Sequence, residues 1–182
     1  GLSILALLGF LLIFGNAQLT PYAVIVASLI GILIPYMRFN VWGKAEQNRK
    51  IFMGDSGSLT LGFILGFLFV KSAMHNPPLM SASPARFVLA YSLLIVPVFD
   101  VVRVILHRLR IRQPLFNADK NHIHHKLMRL GMTQHQALIF ILGLAVAYVA
   151  LNLLLFPAVS ITCIVLIDVA TFTFIQLLLT RK

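Results

Sequence analysis

Apolar residues arrive in six blocks separated by short polar joints, at about 2–14, 21–36, 58–70, 86–106, 136–156 and 158–179. A membrane-crossing helix needs roughly 20 such residues, with about 17 at the lower end. The fourth, fifth and sixth blocks meet that length. The second and third fall slightly short and are expected to extend into their flanks. The first is clearly short and begins at residue 1, as though the chain started inside an element. The joints carry boundary chemistry. Thr20 before Pro21 and Ser83 before Pro84 each place a cap ahead of a proline at the first helical position. Thr133 with Gln136 matches a capping box, and Pro157 divides the last two blocks into a tight helical hairpin. Gly62 and Gly66 form a GxxxG that permits close helix packing. The pattern predicts an all-α, multi-pass transmembrane helix bundle of about six spans, a single membrane domain over 1–182.

Composition agrees with the pattern. The chain is 59% hydrophobic and 11% charged, against about 25% charged in a soluble domain, so it could not cover itself in water. The lone Cys163 excludes a disulfide framework and a thiolate metal site. No secretory signal pattern is seen at the start of the sequence. The net charge of +10 is unevenly placed. Arg38, Lys44, Arg49 and Lys50 follow the second block; Arg103, Arg108, Arg110, Arg112, Lys120, Lys126 and Arg129 lie in the stretch from Arg103 to Arg129, from the end of the fourth block onward; Arg181 and Lys182 end the chain. The opposite side has only Lys71 and Arg86. The positive-inside rule makes the basic loops and the C-terminus cytoplasmic.

Against only five acids, the run Phe52, Met53, Gly54, Asp55, Ser56, Gly57, Ser58 stands out. Asp55, Ser56 and Ser58 are good N-cap residues, and a helix starting here aims free amides at the cytoplasm. Such a terminus favours anions, and a carboxylate beside it takes Mg²⁺ along with substrate phosphates. An ordinary interfacial helix cap would use the same residues. A second constellation runs from Asn117 through Asp119, Lys120, His122, His124 and His125 to Gly131. Asp119 is expected to cap a short amphipathic helix and Gly131 to end it. Ile123, Leu127 and Leu130 share one face, His122, His125 and Arg129 the opposite stripe, with Lys126 nearby and His124 on the flank. That cationic, donor-rich face suits a phosphate better than zinc, because no second ligand group accompanies the histidines; resting on anionic lipid is the plainer alternative. Asp100 can pair with Arg103 one turn on, although an intramembrane acid is a functional candidate by default. Asp168 lies mid-span without a partner in its own helix.

Phe52 to Ser58, the run Pro97, Val98, Phe99, Asp100, and the run His122, Ile123, His124, His125, in this order, give a chain that resembles the polyprenyl-phosphate N-acetylhexosamine-1-phosphate transferases. That family includes the UDP-N-acetylglucosamine:undecaprenyl-phosphate enzymes and the peptidoglycan phospho-MurNAc-pentapeptide translocase, and the histidine run is closer to the former. The resemblance implies transfer of a sugar-1-phosphate from a UDP-N-acetylhexosamine to undecaprenyl phosphate at the bacterial inner membrane, with release of UMP. It implies Mg²⁺, with Mn²⁺ as a substitute, held by Asp55, and catalytic roles for Asp55, His122, His124 and His125. Phe52 would stack on the uracil; Gly54, Ser56, Gly57, Ser58, Asp119 and Arg129 would contact substrate. Membrane lipid and a second copy of the chain, as a homodimer, are further candidate partners; nucleic acid is not expected. Family members have ten or eleven spans, and Gly1, Leu2 and Ser3 resemble the tail of an aspartate-rich family motif. The expectation is therefore the C-terminal half of a transferase, inactive alone. Rival classes are a transporter or channel subunit using Asp100 and Asp168, and a non-catalytic scaffold whose basic loops bind anionic lipid.

Overall fold

A computed structural model describes residues 1–43, 49–74, 83–112, 114 and 122–180. Among the described residues seven helices follow one another: α1 (Leu2–Asn16), α2 (Thr20–Trp42), α3 (Gly54–Ala73), α4 (Pro84–Arg110), α5 (Ile123–Arg129), α6 (Gln134–Leu155) and α7 (Ile161–Thr180). No strand occurs among the described residues. Five of the helices are long and apolar enough to cross a membrane, and α1 is a shorter apolar helix. The chain is an all-α, multi-pass membrane protein. It divides into two compact units, Gly1–Tyr91 and Ser92–Lys182.

In the first unit α1 packs on α2 and α3. Leu7, Phe10 and Phe14 of α1 are fully buried. Phe10, Phe14, Tyr22 and Phe67 form a chain of rings with centroids 6.3, 5.4 and 6.2 Å apart, contacts that hold helices together where lipid removes the hydrophobic driving force. α1 ends with Gln18 at φ 54, where the Leu19 amide reaches the Phe14 carbonyl at 2.9 Å and the Gln18 amide the Gly15 carbonyl at 3.0 Å, a Schellman closure in a left-handed residue other than glycine. The second span begins one residue early. Leu19 holds the cap position and no side chain caps it, so Thr20 is already inside the helix instead of capping it.

In the second unit the buried stripes follow helical spacing: Ala137, Ile141, Ala145, Tyr148 and Asn152 on α6, and Ile164, Asp168, Phe172 and Gln176 on α7. Asn152 Nδ2 donates to Ser92 Oγ and to Asp168 Oδ2, each at 3.0 Å. All three residues are fully buried, so a polar bridge ties α4, α6 and α7 and gives Asp168 the partner its own helix lacks. The predicted capping box is present: Thr133 Oγ1 accepts from the Gln136 amide at 3.3 Å and Gln136 Oε1 from the Thr133 amide at 2.8 Å. After Pro157 the turn runs to Ser160, whose Oγ accepts from the Cys163 amide, so α7 starts three residues later than the apolar pattern suggests.

Candidate functional site

The first unit presents the start of α3. Gly54 opens the helix at φ +68, a left-handed conformation that a side chain would strain. The cap position is Met53, with no side-chain hydrogen bond. Asp55, Ser56 and Ser58 therefore do not cap the helix but lie in its first turns, and Ser58 Oγ donates back to the Asp55 carbonyl at 2.9 Å. The first amides of α3 are left open, as the sequence suggested, though for a different reason. The Asp55 carboxylate is exposed and bonds no other described residue. Gly57 is needed for contact: a Cβ there would stand 2.7 Å from Met53 Cγ. Phe52 is 75% exposed, with the Lys50 ammonium 5.9 Å from its ring centroid. Asn40 fixes the approach, donating to the Ile51 carbonyl at 2.8 Å. Nothing in the spacing had pointed to Asn40.

The second unit presents α5. Asp100, 7% exposed on α4, is the hub. Its carboxylate accepts from Arg103 Nη2 at 3.0 Å and from the Ile123 amide at 3.2 Å to each oxygen, and pairs with His122 Nδ1 at 3.0 Å. The expected Asp100–Arg103 pair is present, and the same carboxylate also caps α5 from another helix. Asp119, expected in that role, lies outside the described residues; the cap position belongs to His122. His122 has extended ψ of 152°, so it precedes the helix and turns to Asp100 instead of joining the outer stripe with His125 and Arg129. A proton on Nδ1 shared with the carboxylate leaves Nε2 as the ring's acceptor.

Ile123 and Leu127 are buried as expected, while His124 and Arg129 are exposed. The His124 and His125 rings lie 4.0 Å apart, and those of His122 and His124 6.1 Å apart and nearly parallel. Although His124 reaches solvent, partial desolvation of its ring first, then the neighbouring His125 and His122, hold the imidazole below its ordinary range, against an opposing pull from Asp100. α5 ends as predicted at Gly131, φ +90: the Met132 amide reaches the Leu127 carbonyl at 3.2 Å and the Gly131 amide the Met128 carbonyl at 3.1 Å, a Schellman closure. Lys126 Nζ donates to Gln176 Oε1 at 3.1 Å and Thr180 Oγ1 at 2.8 Å, docking α5 on α7. Burial, with Arg103 and Arg129 adding to it, lowers the Lys126 ammonium to about 8.

Among the described residues no cluster of three or more metal-ligating side chains occurs. Among the described residues of the first unit Asp55 is the one acid, and its exposed carboxylate fits a Mg²⁺ whose other positions are filled by water and substrate phosphates. The histidines are committed to Asp100 and to one another, a poorer fit to zinc.

Residues 1–73 match the pattern of Glycosyl transferase family 4. The chain is 34% identical over 124 residues to the undecaprenyl-phosphate alpha-N-acetylglucosaminyl 1-phosphate transferase of Yersinia pestis, covering 68% of this chain and 32% of that protein. It is 31% identical over 122 residues to the protein of the same name from Escherichia coli K12, covering 67% and 32%, and 32% identical over 114 residues to that of Pasteurella multocida, covering 63% and 30%. The chain thus spans about a third of the length of these curated relatives. No solved structure matches it.

Proposed function

We propose that this chain, whose residues 1–73 match Glycosyl transferase family 4, takes part in sugar-1-phosphate transfer from a UDP-sugar to undecaprenyl phosphate. N-acetylglucosamine-1-phosphate is the first candidate for the group transferred, and the cytoplasmic face of the bacterial inner membrane is the place. An oxygen of the lipid phosphate bonds to the β-phosphorus of the nucleotide sugar, the bond to the α-phosphate oxygen breaks, and UMP leaves. The observation that carries the reading is the start of α3: an exposed carboxylate in the first turn of a helix whose amides no side chain caps. Open amides at a helix start favour a diphosphate, and phosphoryl transfer asks the protein for positioning and charge neutralisation more than covalent chemistry.

In this reading Asp55 holds the Mg²⁺, which supplies neutralising charge when bound. Gly54, Ser56, Gly57 and Ser58 keep the helix start low and accessible, and Phe52 stacks on the uracil. In the second unit His124, His125 and Arg129 offer donors suited to phosphate oxygens, while His122 gives its Nδ1 proton to Asp100, and Asp119 contacts substrate. The two acids a transporter would need, Asp100 and Asp168, are both engaged by protein donors inside the second unit, which favours the transferase reading over ion passage. In membranes holding the native protein, Asp55→Asn is expected to cut Mg²⁺-dependent UMP release at least about 100-fold. Release that continues unchanged removes Asp55 from the chemistry and, with it, the proposal.

A further inference from the structure

The second unit contains a groove of about 450 Å³ between α4 and α7, closed at one end by Lys126 of α5. Its walls are apolar and exposed, Val98 48%, Val102 45%, Val169 46% and Leu177 58%. The end at Lys126 is built of hydrogen-bond donors. Lys126 retains one ammonium hydrogen beyond those given to Gln176 and Thr180. Arg103 lines the same end. Gln176 is 4% exposed, and its Nε2 has no hydrogen-bond partner among the described residues. Because Lys126 can only donate, the amide oxygen must face it, leaving Nε2 as a buried donor in search of an acceptor. Apolar walls leading to converging donors describe a site for an anionic head on a hydrocarbon chain.

We propose that this groove binds one anionic phospholipid, its phosphodiester at Lys126, Gln176 and Arg103 and one acyl chain along Val98, Val102 and Val169. Two observations favour a phospholipid over a polyprenyl monophosphate. Asp100, 3.0 Å from Arg103, cancels one of the two positive charges at the mouth, leaving a balance that suits the single charge of a phosphodiester; a phosphomonoester carries about −1.5 to −2 at pH 7. The run from Val169 to Thr180 rises roughly 16 Å at 1.5 Å per residue, about half of a ~30 Å hydrocarbon core, the depth of one leaflet. This site is independent of the transfer reaction, and its test reads no turnover.

Native mass spectrometry of the purified chain, with phosphatidylglycerol, phosphatidylcholine and polyprenyl phosphate offered separately and in competition, tests it. The wild type is expected to retain one phosphatidylglycerol in preference to the other two. Lys126→Gln and Gln176→Leu should each weaken retention about tenfold, and Val102→Trp, which fills the groove, should remove it. Lipid-free thermal unfolding midpoints near the wild-type value establish that the variants fold; Lys126→Gln, at a part-exposed position, decides the matter if Val102→Trp does not. Equal retention of phosphatidylcholine, preferential retention of polyprenyl phosphate, or undiminished binding by folded Lys126→Gln would overturn the proposal.

Discussion

The starts of α3 and α5 each have an aspartate beside them, and they are built in opposite ways. Asp55 belongs to the helix it serves, stands exposed in the first turn and bonds no other described residue. Asp100 belongs to a different helix, is buried, and accepts from the first amide of α5, from Arg103 and from His122. A carboxylate surrounded by protein donors has its acceptor capacity spent on holding the fold. One at an open terminus keeps that capacity for a ligand. The two positions therefore separate stability from chemistry, and substitution should pull the two apart.

The largest effect is expected at Asp100. Asp100→Ala leaves the Arg103 charge and the Ile123 amide without their carboxylate in a buried setting, which costs about 3–5 kcal/mol. Unfolding of the detergent-solubilised protein by denaturant should register that loss, with the histidine run released from α4. The same substitution at the other start is the control: Asp55→Ala, at an exposed position, should move stability by no more than about 0.5 kcal/mol while transfer is lost. Equal destabilisation at the two sites would break the comparison, because Asp55 would then be a structural acid as well.

A smaller effect tests how α5 ends. Gly131 sits at φ +90, and a side chain in a left-handed residue costs roughly 1–2 kcal/mol. Gly131→Ala should lower the unfolding free energy by that amount and loosen α5 on α7. The Lys126 ammonium, held at about 8, gives a readout: its partial exposure at the docking to Gln176 and Thr180 should increase, and its titration should move up toward the ordinary lysine range. The sign follows from the cause, since burial is what lowers it. A titration that stays near 8 in Gly131→Ala would mean that α5 is held by Asp100 and Lys126 without its Schellman closure.

The spans were legible because length and apolarity determine them almost alone. The differences lie at the ends. α3 begins at Gly54, four residues before its apolar block, and α4 runs on to Arg110, because polar and basic residues continue a helix that has already left the apolar zone. The Thr133–Gln136 box and the Gly131 stop were legible because their bonds close within a few residues. The cap on α5 was not. Asp100 and Ile123 are 23 positions apart, and a local reading assigns the role to the nearer Asp119. Asn152 with Asp168, and Lys126 with Gln176, escaped for the same reason: each bond joins separate helices. At α3 the small residues were legible as a motif, but the absence of any side-chain cap depends on Met53 taking that position.

The start of α6 supplies the intermediate case and the smallest prediction. It is capped entirely from within, by Thr133 and Gln136 exchanging bonds with each other's backbone at 3.3 and 2.8 Å. Thr133→Ala removes the hydroxyl that accepts from the Gln136 amide, so stability should fall by about 1 kcal/mol, the usual value of a lost cap. Because both residues are exposed, water takes over part of the bonding, and the loss should stay well below that at Asp100. Neither lipid retention nor UMP release should change, since α6 contributes no residue to either candidate site. The ordering Asp100, Gly131, Thr133 then reflects how much of each helix end is buried with its partner. A loss at Thr133 as large as that at Asp100 would show that capping alone, without burial, sets the cost, and the distinction between the two aspartates would lose its physical basis.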